Sequence, residues 1–365
     1  PDNYPSIIEE IRQGGNTTPQ TRLRLSAEAY THTAEYDMKI AAYMRSQAGL
    51  SEKLFLTYDL VQPLRYGENP HQSAKFYRQS APVPYSTAFA QQLNGKELSY
   101  NNIQDANAAL GIVREFREPF CVGVKHLTPC GAAIGSSAAE CWQKTLEADP
   151  VSIYGGIVAT NCEIDAQTAT VMKDVFLEII IAPHFSPEAL RILCTKKNLR
   201  LLEVDMTPTD DTEQNIVSVT GGLLIQDADN KTVEVVADMC VTDTKPSADE
   251  LRDLNFGLKI VKHIKSNAIC VVRDGATLGI GAGQTNRIGS AEIALRQAHS
   301  KGATQNLVLA SDAFFPFDDC VELASKMGVT AIVQPGGSIH DDDSVRKANE
   351  KGISMMMTGT RHFKH

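Results

Sequence analysis

The chain has 365 residues, 42% of them hydrophobic and 22% charged, with a net charge of −9 at neutral pH. That length exceeds what one hydrophobic core usually organises, so two packed units are expected, and the composition excludes a disordered chain. The acidic balance excludes nucleic acid as the main partner, because a phosphate backbone demands a basic face, but it leaves a small anionic ligand open.

No apolar run approaches the roughly 18 residues that span a bilayer, and the opening PDNYPSIIEEIRQ lacks the basic and apolar regions of a signal peptide. A cytoplasmic protein with no membrane partner is expected. The eight cysteines, at 121, 130, 141, 162, 194, 240, 270 and 320, sit in apolar stretches with neither paired nor metal-like spacing, which points to buried free thiols. Position 1 is Pro, so the chain is expected to be a fragment or processed form of a longer protein.

In chain order, the opening segment reads as a linker that runs through the polar QGGNTTPQ (13–20). A long helix follows, with Leu23, Leu25, Ala29, Tyr30, Ile40 and Met44 among its apolar positions. A helix over 102–116 leads into the apolar run FCVGV (120–124), which reads as a buried strand. Next come a helix over 137–148 with Ser137 and Glu140 at capping-box spacing, a strand at 156–161, a helix near 165–176, a strand at 178–183 and a helix opened by Ser186 and Pro187. The polar run DMTPTDDTEQN (205–215) marks a subdomain boundary. Beyond it, Ser247 and Glu250 repeat the capping-box spacing, and strands fall at 268–272, 307–311, 331–335 and 353–357. Alternating strands and helices predict an α/β protein of two αβα sandwiches with mostly parallel sheets.

Ligands of such sheets gather beyond strand ends, and several polar surprises sit there. LRYGENPHQ (64–72) is too polar for a core; its Arg could clamp an anion, or the segment could be a surface turn. In VGVKHLTPCG a buried strand runs directly into Lys125 and His126. A cation beside an imidazole can tune both groups towards acid and base work near neutrality. An arbitrary Lys-His pair is more often structural; the strand exit and the Pro-x-Gly turn after it shift the reading towards function. LGIGAGQTNRIGS (278–290) places three glycines before Arg287 but breaks the dinucleotide fingerprint, so close ligand approach and a tight strand connection weigh equally. Asp312 with AFFPF (313–317) could present aromatic rings to a flat heterocycle, though such residues are more often core. The triple Asp341–Asp343 reads as a helix start, and RHFKH (361–365) closes the chain directly after an apolar strand, where a cleft could hold it.

Taken in order, LRYGENPHQ, ELSYNNIQDANAAL, VKHLTPCGAA, IYGGIVA, IIIAP, LRDLNFGLKIVKHIKSNAI, GIGAGQTNRI, SDAFFPFDD and RHFKH resemble the aminoimidazole carboxamide ribonucleotide (AICAR) transformylase domain from about residue 20 to the end. The resemblance implies transfer of the formyl group of 10-formyltetrahydrofolate to the 5-amino group of AICAR, with no transition metal and with a monovalent cation left open. It implies two tandem cytidine deaminase-like αβα subdomains, 21–210 and 211–365, and a homodimer with the active site across its interface. Residues 1–20 resemble the tail of an adjoining inosinate cyclohydrolase domain whose body is absent. By the same resemblance Lys125, His126 and Asn267 are the catalytic groups, and Arg65, Tyr66, Gly155, Glu178, Arg287, Phe314, Arg361 and His365 contact the nucleotide. Val151, Ile288, Pro316 and Phe317 fall on the folate side, where Cys320 replaces an Asn of some members and puts folate orientation in question.

Two other readings stay open. A zinc nucleobase deaminase would explain Pro129-Cys130, but its HxE and PCxxC ligands are lacking, since Ala133 stands where the second Cys belongs. A fragment that binds purine precursors or folates without turnover would explain the non-Met start.

Overall fold

The computed structural model describes residues 3–209 and 214–365. The chain divides into two compact units: one runs to Val61 and takes in Tyr77–Ala81, the other comprises Gln62–Phe76 and Pro82–His365. In the first unit, α1 (Tyr4–Gly14) ends on Gly15 in the left-handed conformation. Thr18 then caps α2 (Pro19–Gln47) by accepting the Thr21 amide, with Pro19 at the first helical position, where no N–H is needed. QGGNTTPQ is therefore a joint between helices, and the opening segment is helical from Tyr4 rather than an extended linker.

β1 (Asp59–Leu64) and β2 (Ala74–Arg78) form a two-stranded sheet, and β3 (Gln91–Asn94) joins an edge of the main sheet. From Tyr100 the chain runs twice through one topology. The first copy is α3 (Tyr100–Val113), β4 (Phe120–Lys125), β5 (Thr128–Ile134), α4 (Ala138–Ala148), β6 (Ile157–Thr160), α5 (Ala166–Lys173), β7 (Ile179–Ala182), α6 (Pro187–Leu193) and β8 (Arg200–Glu203). A hairpin of β9 (Gln214–Val219) and β10 (Gly222–Asp227) intervenes. The second copy is α7 (Ala248–Val261), β11 (Ile269–Arg273), β12 (Ala276–Gly281), α8 (Arg287–Ser300), β13 (Leu307–Ser311), α9 (Asp319–Lys326), β14 (Val329–Gln334), α10 (Asp341–Lys351) and β15 (Ser354–Met357). Ser99 and Ser247 start the two copies with complete capping boxes, on Asn102 and Glu250. The boundary expected at 210/211 lies outside the described residues.

In each copy the first two strands make an antiparallel hairpin, the first pairs antiparallel with the third, and the last three run parallel. The copies meet where β5 pairs with β12 at Ala133 and Ala276. Among the described residues, eleven strands thus form one sheet in the order β15-β14-β13-β11-β12-β5-β4-β6-β7-β8-β3. This corrects the expectation of two separate, mostly parallel sheets: four pairings in it are parallel and six antiparallel. The physical reason is the connections. A two-residue turn can only return a strand antiparallel, and the strands 128–134 and 276–281, each reached by such a turn, are what the pattern of apolar runs missed.

Strand residues alternate between two buried faces. Phe120, Val122 and Val124 join Cys270, Val272, Val308 and Ala310 in one core beneath α3 and α7, shared by both copies. Phe256 of α7 packs on Phe116 and Phe120, with ring centroids 5.5 and 6.3 Å away. The opposite face carries two cores, one under α4, α5 and α6, the other under α8 and α9. Of the eight cysteines, all free, Cys121, Cys141, Cys270 and Cys320 are buried and the others partly so. Among the described residues no helix is long and apolar enough to cross a membrane.

The registers fix which strand ends lie together. β4 ends at Lys125 opposite Thr128, whereas β11 begins at Ile269 opposite Gly281 and Ser311. Because β4, β5, β12 and β11 alternate in direction, Lys125 and Asn267 lie on the same edge of the sheet. Two strands, β5 and β12, stand between theirs.

Candidate active site

The first cluster is built on the β4–β5 turn. Its central residues, His126 and Leu127, have φ of 53° and 63°, the left-handed pair of a type I′ turn. Neither is Gly or Asn, so the conformation needs outside support. Asp105 on α3 supplies it: Oδ2 accepts the His126 amide at 3.3 Å and Oδ1 the Leu127 amide at 2.7 Å. Lys125, at the strand end, donates through Nζ to the Tyr154 carbonyl at 2.8 Å. Tyr154 leads into Gly155, whose φ of 71° favours glycine and where a Cβ would press on the Phe176 ring at 3.3 Å. Glu178, just ahead of β7, accepts through Oε2 from Arg200 at 3.1 Å and from Asn102 at 3.2 Å. Between β1 and β2, Arg65 and Tyr66 bond to one another, guanidinium to phenol oxygen at 2.9 Å.

The second cluster surrounds Asn267, just ahead of β11. Its Oδ1 accepts from Arg287 Nη2 at 2.7 Å and its Nδ2 donates to the Gln284 carbonyl at 2.9 Å. Arg287 is 5% exposed, and Nη1 reaches Asp312 and Ser311. The chain terminus is tied to the same edge: Ser266 N donates to the Lys364 carbonyl at 2.8 Å and His362 N to the Asp312 carbonyl at 2.9 Å. This holds Arg361 over the Phe363 ring at 4.4 Å, with His365 beside that ring at 5.3 Å. Phe314 and Pro316 are half-buried, and Phe317, 58% exposed, meets the His340 ring at 5.5 Å.

Other candidates are placed differently. Val151 is exposed in the turn before Gly155, and Ile288 packs partly against the second copy's core. Cys320 faces that core as well, and burial pushes its thiol up. Two glycines of GIGAG serve packing: a Cβ on Gly279 would overlap the Ala294 carbonyl of α8, and one on Gly281 the Ser290 carbonyl. Asp105, Asn102, Tyr154 and Arg200 were not singled out from sequence. The signal that could have found Asp105 is its repetition: Asp253 stands at the same distance from its cap and its turn in the second copy. Among the described residues no three His, Cys, Asp or Glu side chains gather as a metal-binding group.

Lys125 at a strand end, His126 on a held turn and an oriented Asn267 carboxamide thus lie along one edge of the sheet of an α/β protein. The family model described as AICARFT/IMPCHase bienzyme matches residues 1–297, and the chain belongs to that family. It is 53% identical over 369 aligned residues to the bifunctional purine biosynthesis protein PurH of Anoxybacillus flavithermus, 51% to that of Bacillus cytotoxicus and 52% to that of Lysinibacillus sphaericus. Each match covers 100% of this chain and 71% of the relative. The protein is an AICAR formyltransferase of purine biosynthesis, which moves a formyl group from 10-formyltetrahydrofolate to the 5-amino group of AICAR.

Proposed function

We propose that Lys125, His126 and Asn267 carry this transfer. The observation that supports the reading most is the turn itself, which spends an unfavourable backbone conformation at His126, directly after Lys125. The AICAR amine is conjugated with its ring and is a poor nucleophile, so positioning and proton removal must supply much of the barrier reduction. His126 takes the amine proton as the new C–N bond forms at the formyl carbon. As the bond from that carbon to the folate nitrogen breaks, Lys125 delivers a proton to the departing nitrogen. Asn267, one of whose two amide N–H donors is spent on Gln284, presents the other to the substrate carboxamide and to charge developing in the transition state.

The nucleotide would lie along this edge against Arg65, Tyr66, Gly155, Glu178, Phe314, Arg361 and His365, with Arg287 acting through Asn267. The folate would lie against Val151, Ile288, Pro316 and Phe317, where the exposed Phe317 ring offers a flat apolar face. The repeated topology supports the reading of two tandem cytidine deaminase-like subdomains. Two strands, β5 and β12, stand between those of Lys125 and Asn267, which sets the two groups apart along one sheet edge. A homodimer in which a second copy completes each site would bridge that separation, and the reading is of a cytoplasmic enzyme. The scheme uses no transition metal and leaves a monovalent cation site open.

The test is to supply AICAR and 10-formyltetrahydrofolate and follow tetrahydrofolate. Lys125→Ala and His126→Ala should each lose about 10²–10⁴-fold in turnover while unfolding as the parent does. Near-parental activity in both variants refutes the assignment, and stoichiometric bound zinc would favour a deaminase instead.

A further inference from the structure

The two copies contain one device used for different ends. In the second copy the β11–β12 turn is made by Asp274 and Gly275, with φ of 55° and 66°. Asp253 of α7 holds it, accepting the Asp274 amide through Oδ2 at 2.8 Å and the Gly275 amide through Oδ1 at 2.8 Å. In the first copy, Asp105 of α3 accepts the amides of His126 and Leu127 in the same order on the same oxygens. Asp105 and Asp253 each lie six residues after their capping serine, Ser99 and Ser247, and each precedes its turn by 21 residues. One carboxylate from the second turn of a helix therefore pins both hairpins.

The turns differ in what they ask of it. Asp-Gly is a favoured sequence for a type I′ turn, because Gly takes positive φ freely and Asp tolerates it. His-Leu is a poor one, since both side chains carry a Cβ against the following carbonyl. The second turn would hold its shape with modest help, whereas the first depends on its carboxylate. They also face opposite edges of the sheet: His126 lies on the edge with Asn267, and Gly275 on the other, where its carbonyl accepts the Ile134 amide at 2.9 Å.

We propose that Asp105 is a positioning residue for formyl transfer: by clamping the two amides of the His126–Leu127 turn, its carboxylate fixes where the imidazole of His126 stands relative to Lys125. The inference rests on the reading of His126 as the base. Asp105 touches the backbone of the turn and takes no part in the proton transfers. Its removal lets the turn relax towards negative φ, which swings the imidazole out of place while both substrates still bind.

Steady-state formyl transfer and thermal unfolding of Asp105→Ala, Asp105→Ala/Leu127→Gly, Asp253→Ala and His126→Ala decide the matter. For Asp105→Ala we expect kcat to fall at least about tenfold, with KM for both substrates within about twofold and melting within a few degrees of the parent. Leu127→Gly in that background should recover several-fold in kcat, because glycine takes the left-handed conformation without help. Asp253→Ala should lower the melting temperature yet keep kcat within about twofold. The proposal is overturned by parental kcat in Asp105→Ala alongside an inactive His126→Ala, by an equal loss of kcat in Asp253→Ala, or by no recovery with Leu127→Gly. Parental activity in His126→Ala overturns the proposal together with the reading of the base. If either alanine variant fails to fold, Asp105→Asn and Asp253→Asn are compared on the same criteria.

Discussion

The guanidinium of Arg287 donates to Oδ1 of Asn267 at 2.7 Å while its other terminal nitrogen serves Asp312 and Ser311. With the Gln284 carbonyl accepting from Nδ2, the Asn267 amide has one orientation that satisfies both neighbours. Asp312 is fully buried, so Arg287 both neutralises a charge and aims a carboxamide.

These two roles separate by substitution. Arg287→Ala strands the Asp312 carboxylate and should cost about 3–5 kcal/mol in urea unfolding. Arg287→Lys keeps a cation but lacks the planar fork that reaches two partners. It should retain more of the stability while kcat drops at least about tenfold. Equal kcat in Arg287→Lys and the parent would show that Asn267 needs no such support.

Phe317 offers a cleaner test of the folate face, since it is 58% exposed and its ring contact is with His340 rather than the core. Phe317→Ala should leave thermal unfolding within about 1 °C, as exposed substitutions do. KM for the folate should rise several-fold while KM for AICAR stays put. An unchanged folate KM would move that cosubstrate to another surface.

The glycines of GIGAG are expected to matter for folding rather than binding. Gly279 and Gly281 let α8 approach β12 so closely that a methyl group would overlap main-chain carbonyls, which cannot rotate away. Gly279→Ala should cost several kcal/mol or abolish soluble protein, the range of severe overpacking. Gly283→Ala, where the nearest atom is Lys265 Cδ at 3.8 Å, meets no such wall, but its φ of 65° makes a smaller loss of about 1 kcal/mol the expectation.

Apolar runs made most helices and the central strands legible: FCVGV and LVLAS became β4 and β13. The strands 128–134 and 276–281 were absent from the reading of apolar runs for two different reasons. Asp-Gly at 274–275 was a readable hairpin signal left unread; His-Leu at 126–127 was not, since its turn is imposed by Asp105 from a distant helix. The candidate site divides in the same way. Lys125 and His126 stood out at a strand exit, whereas the support under Asn267 depends on Asp312 and Gln284 arriving from separate elements, which only the registers reveal.

The join between the copies predicts an acid response. Glu115, just past α3, accepts through Oε1 from Lys262 at 2.9 Å and meets His263 Nε2 at 3.0 Å, both just past α7. Burial by itself would raise the Glu115 pKa, but the His263 and Lys262 partners outweigh it and hold the carboxyl at about 2, against an ordinary 4.5. A carboxyl lowered on folding contributes stability that is complete above its unfolded pKa and lost as pH falls from about 4.5 towards 2. Its side chain is only 14% exposed, so screening takes little from a contribution of about 3 kcal/mol. His263 adds to the same slope: burial, against the opposing pull of Glu115, holds its imidazole below the usual range, so unfolding takes up a proton as pH drops through about 6.5. Glu115→Gln should therefore lose about 3 kcal/mol at pH 7 in denaturant unfolding. Its deficit should shrink below pH 4.5, where the parent surrenders the interaction and the variant has none to lose. Stability curves that run parallel from pH 7 to pH 3 would mean that Glu115 keeps its ordinary acidity, and that the two halves are held by the Phe116, Phe120 and Phe256 cluster without help from charge.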